Sequence, residues 1–472
     1  MNSANMSQSL TAADLKDNIP DIQDNVVATI LMRYGRHIFL KFNDGAKGRD
    51  FLRNMFKRVN ARQQEDGTKF TINIGFTYEG LKALGLSQSA LNSFPQAFQV
   101  GARGRANDVG DRGPHAPEHW EGGLGTSDIH AMAWIRTNTG EDRETATDVI
   151  HAEMEAIGGI EVRFVQDTMA LAHANGIGSE GEHFGFADPI SQPPIEGTDE
   201  PWYPGDGVQE KDGTWRPLKP GEFLLGYEDE VGPGGTQAPD PFELRRNGTY
   251  MVFRKLYQDV AAFRRYLATA AKSLYASDDQ NHQDLVAAKM MGRWRSGCPL
   301  ALSPDKDDLA IAADPERRNN FNYADDEGGL RCPLGAHLRR VNPRATHMKR
   351  ETAVRRRRLI RRGVEYGPHL QDGALEDDGV DRGLVQLIIQ ADIERQFEFV
   401  QKEWMHGGEF MGLDPSEQDP ITGLGGEGSQ MSVPGAKQPF LFDLPTFIKV
   451  KGSEYLFVPG LKALQGLIEQ KF

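Results

Sequence analysis

The stretch Cys332-Pro-Leu-Gly-Ala-His337-Leu-Arg-Arg-Val-Asn-Pro-Arg344, with the basic segment after it that ends Leu359-Ile-Arg361-Arg362-Gly363, decides how the rest of the chain is interpreted. It contains one histidine in an apolar setting. After a polar loop comes a β-like run that ends in two arginines and a glycine. We interpret this combination as more typical of a bound redox cofactor than of an ordinary hydrophobic core.

The lone histidine in this stretch has two interpretations. A histidine between Ala336 and Leu338 is most often a hydrogen-bonded residue of the core or the surface. Neutral imidazole is also a common metal ligand and one of the axial ligands that proteins offer to haem iron. On this ground His337 is a candidate axial ligand, and the structural alternative stays open.

The basic segment is dense enough to suggest a nucleic-acid site. Eight basic residues fall between positions 349 and 362: Lys349, Arg350, Arg355, Arg356, Arg357, Arg358, Arg361 and Arg362. The formal net charge of −14 and the isoelectric point near 5.4 argue against a dedicated polyanion binder. We therefore expect no nucleic-acid partner, and a strand from Ala353 to Ile360 with one face toward a small anionic group.

The bulk composition bounds the class of protein. A chain of 472 residues is too long for one ordinary core, so two domains or one large composite are expected. Two cysteines provide no disulfide framework, and no apolar run is long enough to cross a membrane. The N-terminus has neither a basic nor an apolar leader region. These features predict a cytoplasmic protein without a membrane partner.

Hydrophobic periodicity predicts a mixed fold. Residues 1 to about 24 are polar and are expected to form a loose arm. Predicted strands and helices then alternate, with strands at 26–34, 37–42, 70–76, 128–135, 160–165, 249–256 and 384–390, helices at 48–62, 78–84, 141–157, 260–271 and 394–404, and a closing hairpin at 447–459 before a last short helix. This order predicts an α+β fold in which helices cover antiparallel sheets.

Two long irregular stretches interrupt the pattern, at 101–125 and 178–220, and such segments are often functional. The second contains Asp188, an acid among Phe184, Phe186 and Ile190. An aspartate before a proline is usually a turn residue or a helix cap. A carboxylate set among aromatic side chains is alternatively a candidate general acid or base.

Six segments in the same order resemble one known family, the dye-decolorizing peroxidases, and the long insertions resemble its large-loop branch. The segments are Phe98-Gln-Val-Gly-Ala-Arg with Gly110-Asp111 and His119-Trp120, Gly185-Phe-Ala-Asp188, Cys332 to Arg344, Ile360-Arg361-Arg362-Gly363, Ile393-Glu-Arg-Gln-Phe397 and Gly452-Ser-Glu-Tyr-Leu-Phe-Val-Pro459. The resemblance implies two ferredoxin-like domains of the dimeric α+β barrel type, which we place at 1–219 and 220–472. It also implies haem b, held mainly by the second domain.

Carried over residue by residue, the resemblance gives His337 the role of proximal iron ligand, Asp188 that of distal acid and Arg361 that of distal arginine. It further implies that Leu384 and Gln386 face the haem, with Gln386 standing where the family has an aromatic residue. Pro189 is a second departure, because the family motif usually has glycine after the acid. Arg344 and either Arg339 or Arg340 are candidate partners of the haem propionates, because the guanidinium fork matches a carboxylate.

The expected function is a peroxidase that reduces hydrogen peroxide and oxidises small or bulky organic reductants, such as anthraquinone and azo dyes and phenols, as a monomer or homodimer. The alternative is a haem-binding carrier or sensor without efficient turnover. The second ring N–H of the proximal histidine should donate to a carboxylate, for which Asp392 and Glu398 are the candidates. Surface aromatics would pass electrons to bulky reductants, and the candidates are Tyr366, Trp404 and Tyr455.

Overall fold

The computed structural model describes residues 9–60, 68–171, 181–188, 190–344 and 351–472. In these ranges the strands are β1 (Tyr34–Phe42), β2 (Phe70–Phe76), β3 (Ala131–Thr137), β4 (Ile160–Met169), β5 (Val208–Gln209), β6 (Trp215–Arg216), β7 (Thr249–Gln258), β8 (Ile360–Arg361), β9 (Val364–Tyr366), β10 (Gly383–Gln390), β11 (Gln430–Ser432), β12 (Phe440–Phe442) and β13 (Ile448–Val458). Two pairs, β5 with β6 and β11 with β12, form small separate hairpins.

The α-helices of the described residues are α1 (Ala12–Asn18), α2 (Asp24–Val27), α3 (Gly45–Met55), α4 (Tyr78–Ala83), α5 (Gln88–Ser93), α6 (Gln96–Gly104), α7 (Gly140–Ile157), α8 (Phe242–Arg245), α9 (Val260–Tyr275), α10 (Gln280–Met291), α11 (Leu309–Ala313), α12 (His337–Val341), α13 (Glu351–Arg355) and α14 (Leu461–Ile468). Two π-helical segments, Glu394–Glu398 and Val400–Met405, follow β10. No helix in these ranges is both long enough and apolar enough to cross a membrane.

One nine-stranded antiparallel sheet organises the chain. Its order is β4-β1-β3-β2-β13-β7-β10-β8, and β9 also pairs with β10. The strands before residue 170 form one half, and those after residue 248 form the other. The halves meet where Phe457 of β13 pairs with Phe76 of β2. The antiparallel sheet and its helices confirm the predicted α+β class, whereas the boundary between residues 219 and 220 stays a prediction.

The sheet curls until its two ends, β4 and β9, lie against each other. Lys255 marks the junction, because its ammonium lies 5.8 Å from the ring centre of Phe164 on β4 and 4.8 Å from that of Tyr366 on β9. Alternate residues of the strands point inward and form a buried core that includes Phe253 and Leu387. The other alternate residues point outward and are covered by helices.

The outer face differs between the two halves. Over the first half, α3 packs directly on the sheet through Phe51, Leu52 and Met55. Over the second half, α9 begins where the Asp259 side chain accepts the Ala262 N–H at 2.9 Å, and it packs beside α10. The helices and loops there leave a cavity between themselves and the outward-facing residues of β7 and β10.

Several predicted elements are wrong. The predicted closing hairpin is one long strand, β13, which continues through a bulge at Gly452. A Cβ at this residue would lie 2.1 Å from Leu124 Cδ1, so the close approach requires glycine. The predicted strand at 26–34 is a helical turn, α2, followed by irregular chain, and only Tyr34 belongs to a strand. The polar arm is also wrong from residue 9 onward, since Leu15 and Ile22 are fully buried.

The predicted strand at 353–360 is mostly a short helix and a turn, and its arginines bind the protein itself. Arg356 lies 2.8 Å from Asp229, and Arg358 donates to the carbonyls of Asp206 and Gly207 at 2.7 and 3.1 Å. These internal contacts leave the segment a poor match for a nucleic-acid surface. Lys349 and Arg350 lie outside the described residues.

Candidate active site

A single cavity collects most of the predicted site residues. It lies between the outer face of β7 and β10 on one side and α12 with the π-helical segments on the other. Six of the seven predicted residues line it: Asp188, His337, Arg344, Arg361, Leu384 and Gln386. The seventh, Arg339, does not. The cavity therefore joins residues from the 181–188 loop, from α12 and from two strands.

His337 is the first residue of α12, and its ring is held by a buried carboxylate. Its Nδ1 lies 2.8 Å from Asp419 Oδ2, and Asp419 Oδ1 accepts the backbone N–H groups of Ile421 and Thr422, each at 2.9 Å. Burial alone would raise the pKa of Asp419, but the pairing with His337 and the Thr422 N–H lower it to about 2. Since an ionised Asp419 accepts the proton on Nδ1, Nε2 is left as the nitrogen with a lone pair.

The predicted partners of His337 are therefore wrong. Asp392 accepts the backbone N–H of Arg395 at 2.9 Å, at the start of the first π-helical segment. Glu398 is paired with Arg105 and accepts the Tyr455 hydroxyl at 3.0 Å. Both carboxylates bind these neighbours. The carboxylate that reaches His337 is Asp419, which lies in an irregular loop later in the chain.

Asp188 and Arg361 meet in the cavity. The Arg361 Nη2 lies 3.6 Å from Asp188 Oδ1, and the two side chains are 41% and 30% exposed. Strand β8 fixes the arginine, because Arg361 pairs with Ile388 of β10 and its backbone N–H donates to the Gln192 side chain at 2.9 Å. Pro189, the predicted departure beside the acid, lies outside the described residues.

Glu182 holds the loop that carries Asp188. This buried carboxylate accepts the backbone N–H groups of Phe184 and Phe186 at 2.9 and 3.0 Å, and the Gln258 amide of β7 at 2.7 Å. Burial raises the pKa of Glu182, and these three donors oppose that effect. The carboxylate therefore fastens a short irregular loop to the sheet beneath it.

The sheet forms one wall of the cavity. Leu384, Gln386 and Ile388 of β10 alternate with inward-facing residues and so share the outer face with Leu256 and Arg254 of β7. The polar pair of this wall, Gln386 beside Arg254, lies between the apolar pair Leu384 and Leu256 on one side and Ile388 on the other. Arg254 is buried, and its two terminal nitrogens donate to Asp111 at 2.6 and 2.9 Å.

Two arginines lie at another edge of the cavity. Arg344 stacks with its guanidinium carbon 4.0 Å from the ring centre of Phe321, and Arg358 lines the same region. Arg339 points elsewhere, since its guanidinium donates to Asp326 at 3.0 Å and to the Cys332 carbonyl at 2.6 Å. The prediction that Arg339 contacts a cofactor is therefore wrong, and Arg344 is the arginine of that motif that faces the cavity.

Some functional candidates were missed or misplaced by sequence reasoning. Asp419 and Glu182 were not predicted, because an aspartate before a proline and a glutamate in a glycine-rich loop are common and carry no distinctive spacing. The expected surface aromatics Tyr366, Trp404 and Tyr455 are all buried, each at most 3% exposed. None of the three is placed where a bulky molecule could touch it directly.

The residues of this cavity fit haem. An imidazole backed by an anionic carboxylate is the usual second-sphere arrangement of a histidine metal ligand. The apolar wall around Leu384, Leu256 and Ile388 suits a flat macrocycle, and Arg344 and Arg358 suit its carboxylates. Asp188 and Arg361 add an acid and a permanent cation to the same space.

Comparisons with known proteins agree with this geometry. No family model matches the chain. The chain is 30% identical to a dye-decolorizing peroxidase of Mycena epipterygia over 97% of its own length and 88% of that protein's, and 28% identical to the multifunctional dye peroxidase DyP2 of an Amycolatopsis species over 95% and 96%. A solved ancestral D-type dye-decolorizing peroxidase superposes with a TM-score of 0.83 at 28% identity, covering 96% of this chain and 99% of that one.

A solved dye-decolorizing peroxidase in complex with 2,6-dimethoxyphenol superposes with a TM-score of 0.80 at 27% identity, covering 95% of this chain and 99% of that one. These likenesses confirm the predicted two-part ferredoxin-like fold and extend over nearly the whole chain. They also favour an enzyme over the carrier or sensor alternative. The chain therefore belongs to the dye-decolorizing peroxidases, haem-dependent enzymes that reduce hydrogen peroxide.

Proposed function

We propose that this peroxidase reduces hydrogen peroxide at the Asp188 and Arg361 side of the cavity, and that His337 would hold the haem through its iron. The observation that carries the proposal is the meeting of two pairs in one cavity, His337 with Asp419 and Asp188 with Arg361. When bound there, haem b supplies the redox-active iron at which the peroxide O–O bond is cleaved.

The residues that would hold the haem lie on three sides of the cavity. His337 would bind the iron through Nε2, since Nδ1 is engaged by Asp419. Arg344 would bind a propionate, with Arg358 beside it, and Leu384 and Gln386 would face the macrocycle from β10. The anionic Asp419 raises the basicity of the imidazole and keeps its ring in one orientation.

We assign proton transfer to Asp188. Its carboxylate would accept a proton from one oxygen of the bound peroxide and return it to the oxygen that leaves as water. Arg361 cannot lose its charge near neutral pH, so it stabilises the negative charge that develops on the departing oxygen. A positioned general base commonly contributes roughly 100- to 10,000-fold in rate, and removing one preorganised donor costs roughly 100- to 1,000-fold.

We propose anthraquinone and azo dyes and phenols as reductants, which are oxidised by one-electron steps. Two findings support this choice: one relative is named a multifunctional dye peroxidase, and one solved structure of the family contains 2,6-dimethoxyphenol. The burial of Tyr366, Trp404 and Tyr455 removes the three expected surface contacts for such molecules. We therefore name no relay residue.

The domain boundary and the cellular location also belong to this proposal. We place the boundary between residues 219 and 220, which leaves the first four sheet strands on one side and β7 onward on the other. Cys298 and Cys332 are both buried free thiols, which is compatible with a cytoplasmic, reducing environment. Whether the enzyme is a monomer or a homodimer stays a prediction.

An absorption spectrum of the haem-loaded protein, before and after one equivalent of hydrogen peroxide, tests the function. We expect a rapid spectral change that reverses when 2,6-dimethoxyphenol or an anthraquinone dye is added. The variant His337→Ala should lose most of its haem, whereas His369→Ala should keep it, because His369 is exposed and does not line the cavity. A protein that binds haem but leaves the spectrum unchanged after peroxide would be a carrier or sensor.

A further inference from the structure

Gln386 lies between two arginines on the cavity wall. It pairs directly with Arg254 of β7, and Arg361 of β8 pairs with Ile388, two residues further along β10. Paired residues on neighbouring strands share a face, and so do residues two apart on one strand. All three side chains consequently point to the same side of the sheet, and all three line the cavity.

The strand register also sets the distances between the Cβ atoms of these three side chains. Directly paired residues have Cβ atoms about 5 Å apart, and diagonal neighbours about 7–8 Å. Glutamine and arginine are long enough for their polar ends to converge across such spacings. The Gln386 amide and the Arg361 guanidinium can therefore reach a small ligand held between them.

Gln386 differs from its two neighbours because its side chain has no hydrogen-bond partner among the described residues. The Arg254 guanidinium is occupied by Asp111 at 2.6 and 2.9 Å, and Arg361 lies 3.6 Å from Asp188. The Gln386 amide makes no hydrogen bond to any part of the chain that the structure describes, although it offers two donors and a carbonyl acceptor. A half-buried amide that faces a cavity without a partner is costly unless a ligand or water satisfies it.

The charge around the amide selects the kind of ligand. Asp111 neutralises Arg254. Arg361 forms an ion pair with Asp188 at 3.6 Å, and its Nη2 donates to the Ser191 carbonyl at 3.5 Å, which leaves its other guanidinium N–H groups for a further acceptor. Two amide N–H donors beside a guanidinium match a compact, negatively charged acceptor.

We propose that Gln386 and Arg361 form a two-donor subsite for small anions on the Asp188 side of the cavity, and that Gln386 sets the affinity of the enzyme for such ligands. The subsite takes ligands of the fluoride or azide class and the negatively charged oxygen of hydroperoxide. This inference rests on the proposed function, because it assigns Gln386 to the ligand-binding side of the haem.

Equilibrium titration with fluoride and azide tests the subsite by the absorption change of the resting, haem-loaded protein. Gln386→Met keeps the length of the side chain and removes its donors. One hydrogen bond to a charged acceptor is worth roughly 10-fold or more in affinity, so we expect the dissociation constants for both anions to rise by at least about 10-fold. Gln386→Asn, which withdraws the amide by one methylene, should lie between wild type and Gln386→Met.

Three companion measurements make the result specific. Arg361→Leu should weaken both anions, because it removes the second donor. Carbon monoxide, a neutral ligand of the reduced protein, should bind Gln386→Met as it binds wild type. Gln465→Met is the matched control, because Gln465 is exposed on α14 and far in sequence from every cavity residue.

Two results would overturn the subsite while leaving the peroxidase intact. One is unchanged fluoride and azide affinity in Gln386→Met when Arg361→Leu weakens both. The other is an equal loss of carbon monoxide affinity, which would indicate a general change of the cavity rather than loss of donors. Failure of the wild-type protein to bind haem or respond to peroxide would instead overturn the proposed function itself.

Discussion

His337 Nδ1 lies 2.8 Å from Asp419 Oδ2, and the aspartate is completely buried. Its second oxygen is saturated by two backbone N–H groups, so the carboxylate is fixed in position and stays ionised. This arrangement orients the imidazole and makes it a stronger electron donor through Nε2. A buried carboxylate of this kind sets both the retention and the reduction potential of a histidine-bound metal.

Asp419→Asn should therefore change the reduction potential of the bound haem without causing its loss. Asparagine keeps the shape but not the charge, so the imidazole donates less electron density and the reduction potential should rise. Loss of such an outer partner typically costs about 10- to 100-fold in metal affinity or activity. Spectroelectrochemistry measures the potential, and Asp392→Asn is the control because Asp392 serves Arg395 instead. Equal potentials in wild type and Asp419→Asn would contradict this role.

Arg361→Leu and Asp188→Asn should separate charge stabilisation from proton transfer. Both variants should retain haem, because neither residue contacts His337 or Arg344. We expect Arg361→Leu to lose roughly 100-fold or more of the rate with peroxide, and Asp188→Asn to lose less. Stopped-flow spectra after peroxide mixing give both rates. Full activity of Asp188→Asn at every pH would show that Asp188 is not the group that transfers the proton.

Glu182→Gln should weaken the hydrogen bonds that hold the Asp188 loop on the sheet. The glutamate accepts two backbone N–H groups and the Gln258 amide, whereas a glutamine would turn its own NH2 group toward one of these donors. Leaving a buried donor without an acceptor costs about 1–3 kcal/mol. We expect the rate with peroxide to fall several-fold or more while haem content stays at the wild-type level. Glu243→Gln, an exposed substitution, should change neither quantity.

The regular part of the fold follows from local patterns. Strands β2, β7 and β10 were predicted within about two residues because apolar and β-branched residues cluster there between turn signals. Gly452 shows the limit of this reasoning, since glycine marks both turns and bulges. The close approach of Leu124 decides between the two, and that contact is invisible in a local window.

The candidate site was predictable where motifs carry the residues. His337 and Arg361 lie in segments of distinctive spacing, and both face the cavity. Asp419 was missed because it is 82 residues from His337 in an irregular loop, and no periodic pattern links the two. Arg339 and Arg340 suited a carboxylate equally well by sequence. Arg340 donates to the Trp404 carbonyl at 2.7 Å and does not line the cavity. Neither does Arg339. Its burial beside Asp326 depends on tertiary packing.

Glu454 should make the stability of the enzyme depend on pH. This glutamate of β13 is fully buried, and among the described residues the Gly125 N–H is its hydrogen-bond donor. Burial raises its pKa from 4.5 to about 8, with a small opposing effect of Gly125. Between these values the unfolded chain is deprotonated while the folded protein holds the proton. Stability therefore falls as pH rises from about 5 to 8, by up to about 1.4 kcal/mol per pH unit.

Glu454→Gln tests this dependence, because glutamine can accept the Gly125 N–H and has no proton to lose. At pH 5 the variant and wild type should melt at similar temperatures, since the wild-type glutamate is protonated in the fold. At pH 8 the variant should melt several degrees higher, because it avoids the cost of keeping a carboxyl group protonated or burying its charge. Glu376→Gln, on the exposed surface, should leave the pH profile unchanged. Parallel pH profiles for Glu454→Gln and wild type would show that the Glu454 carboxylate is solvated in the folded protein.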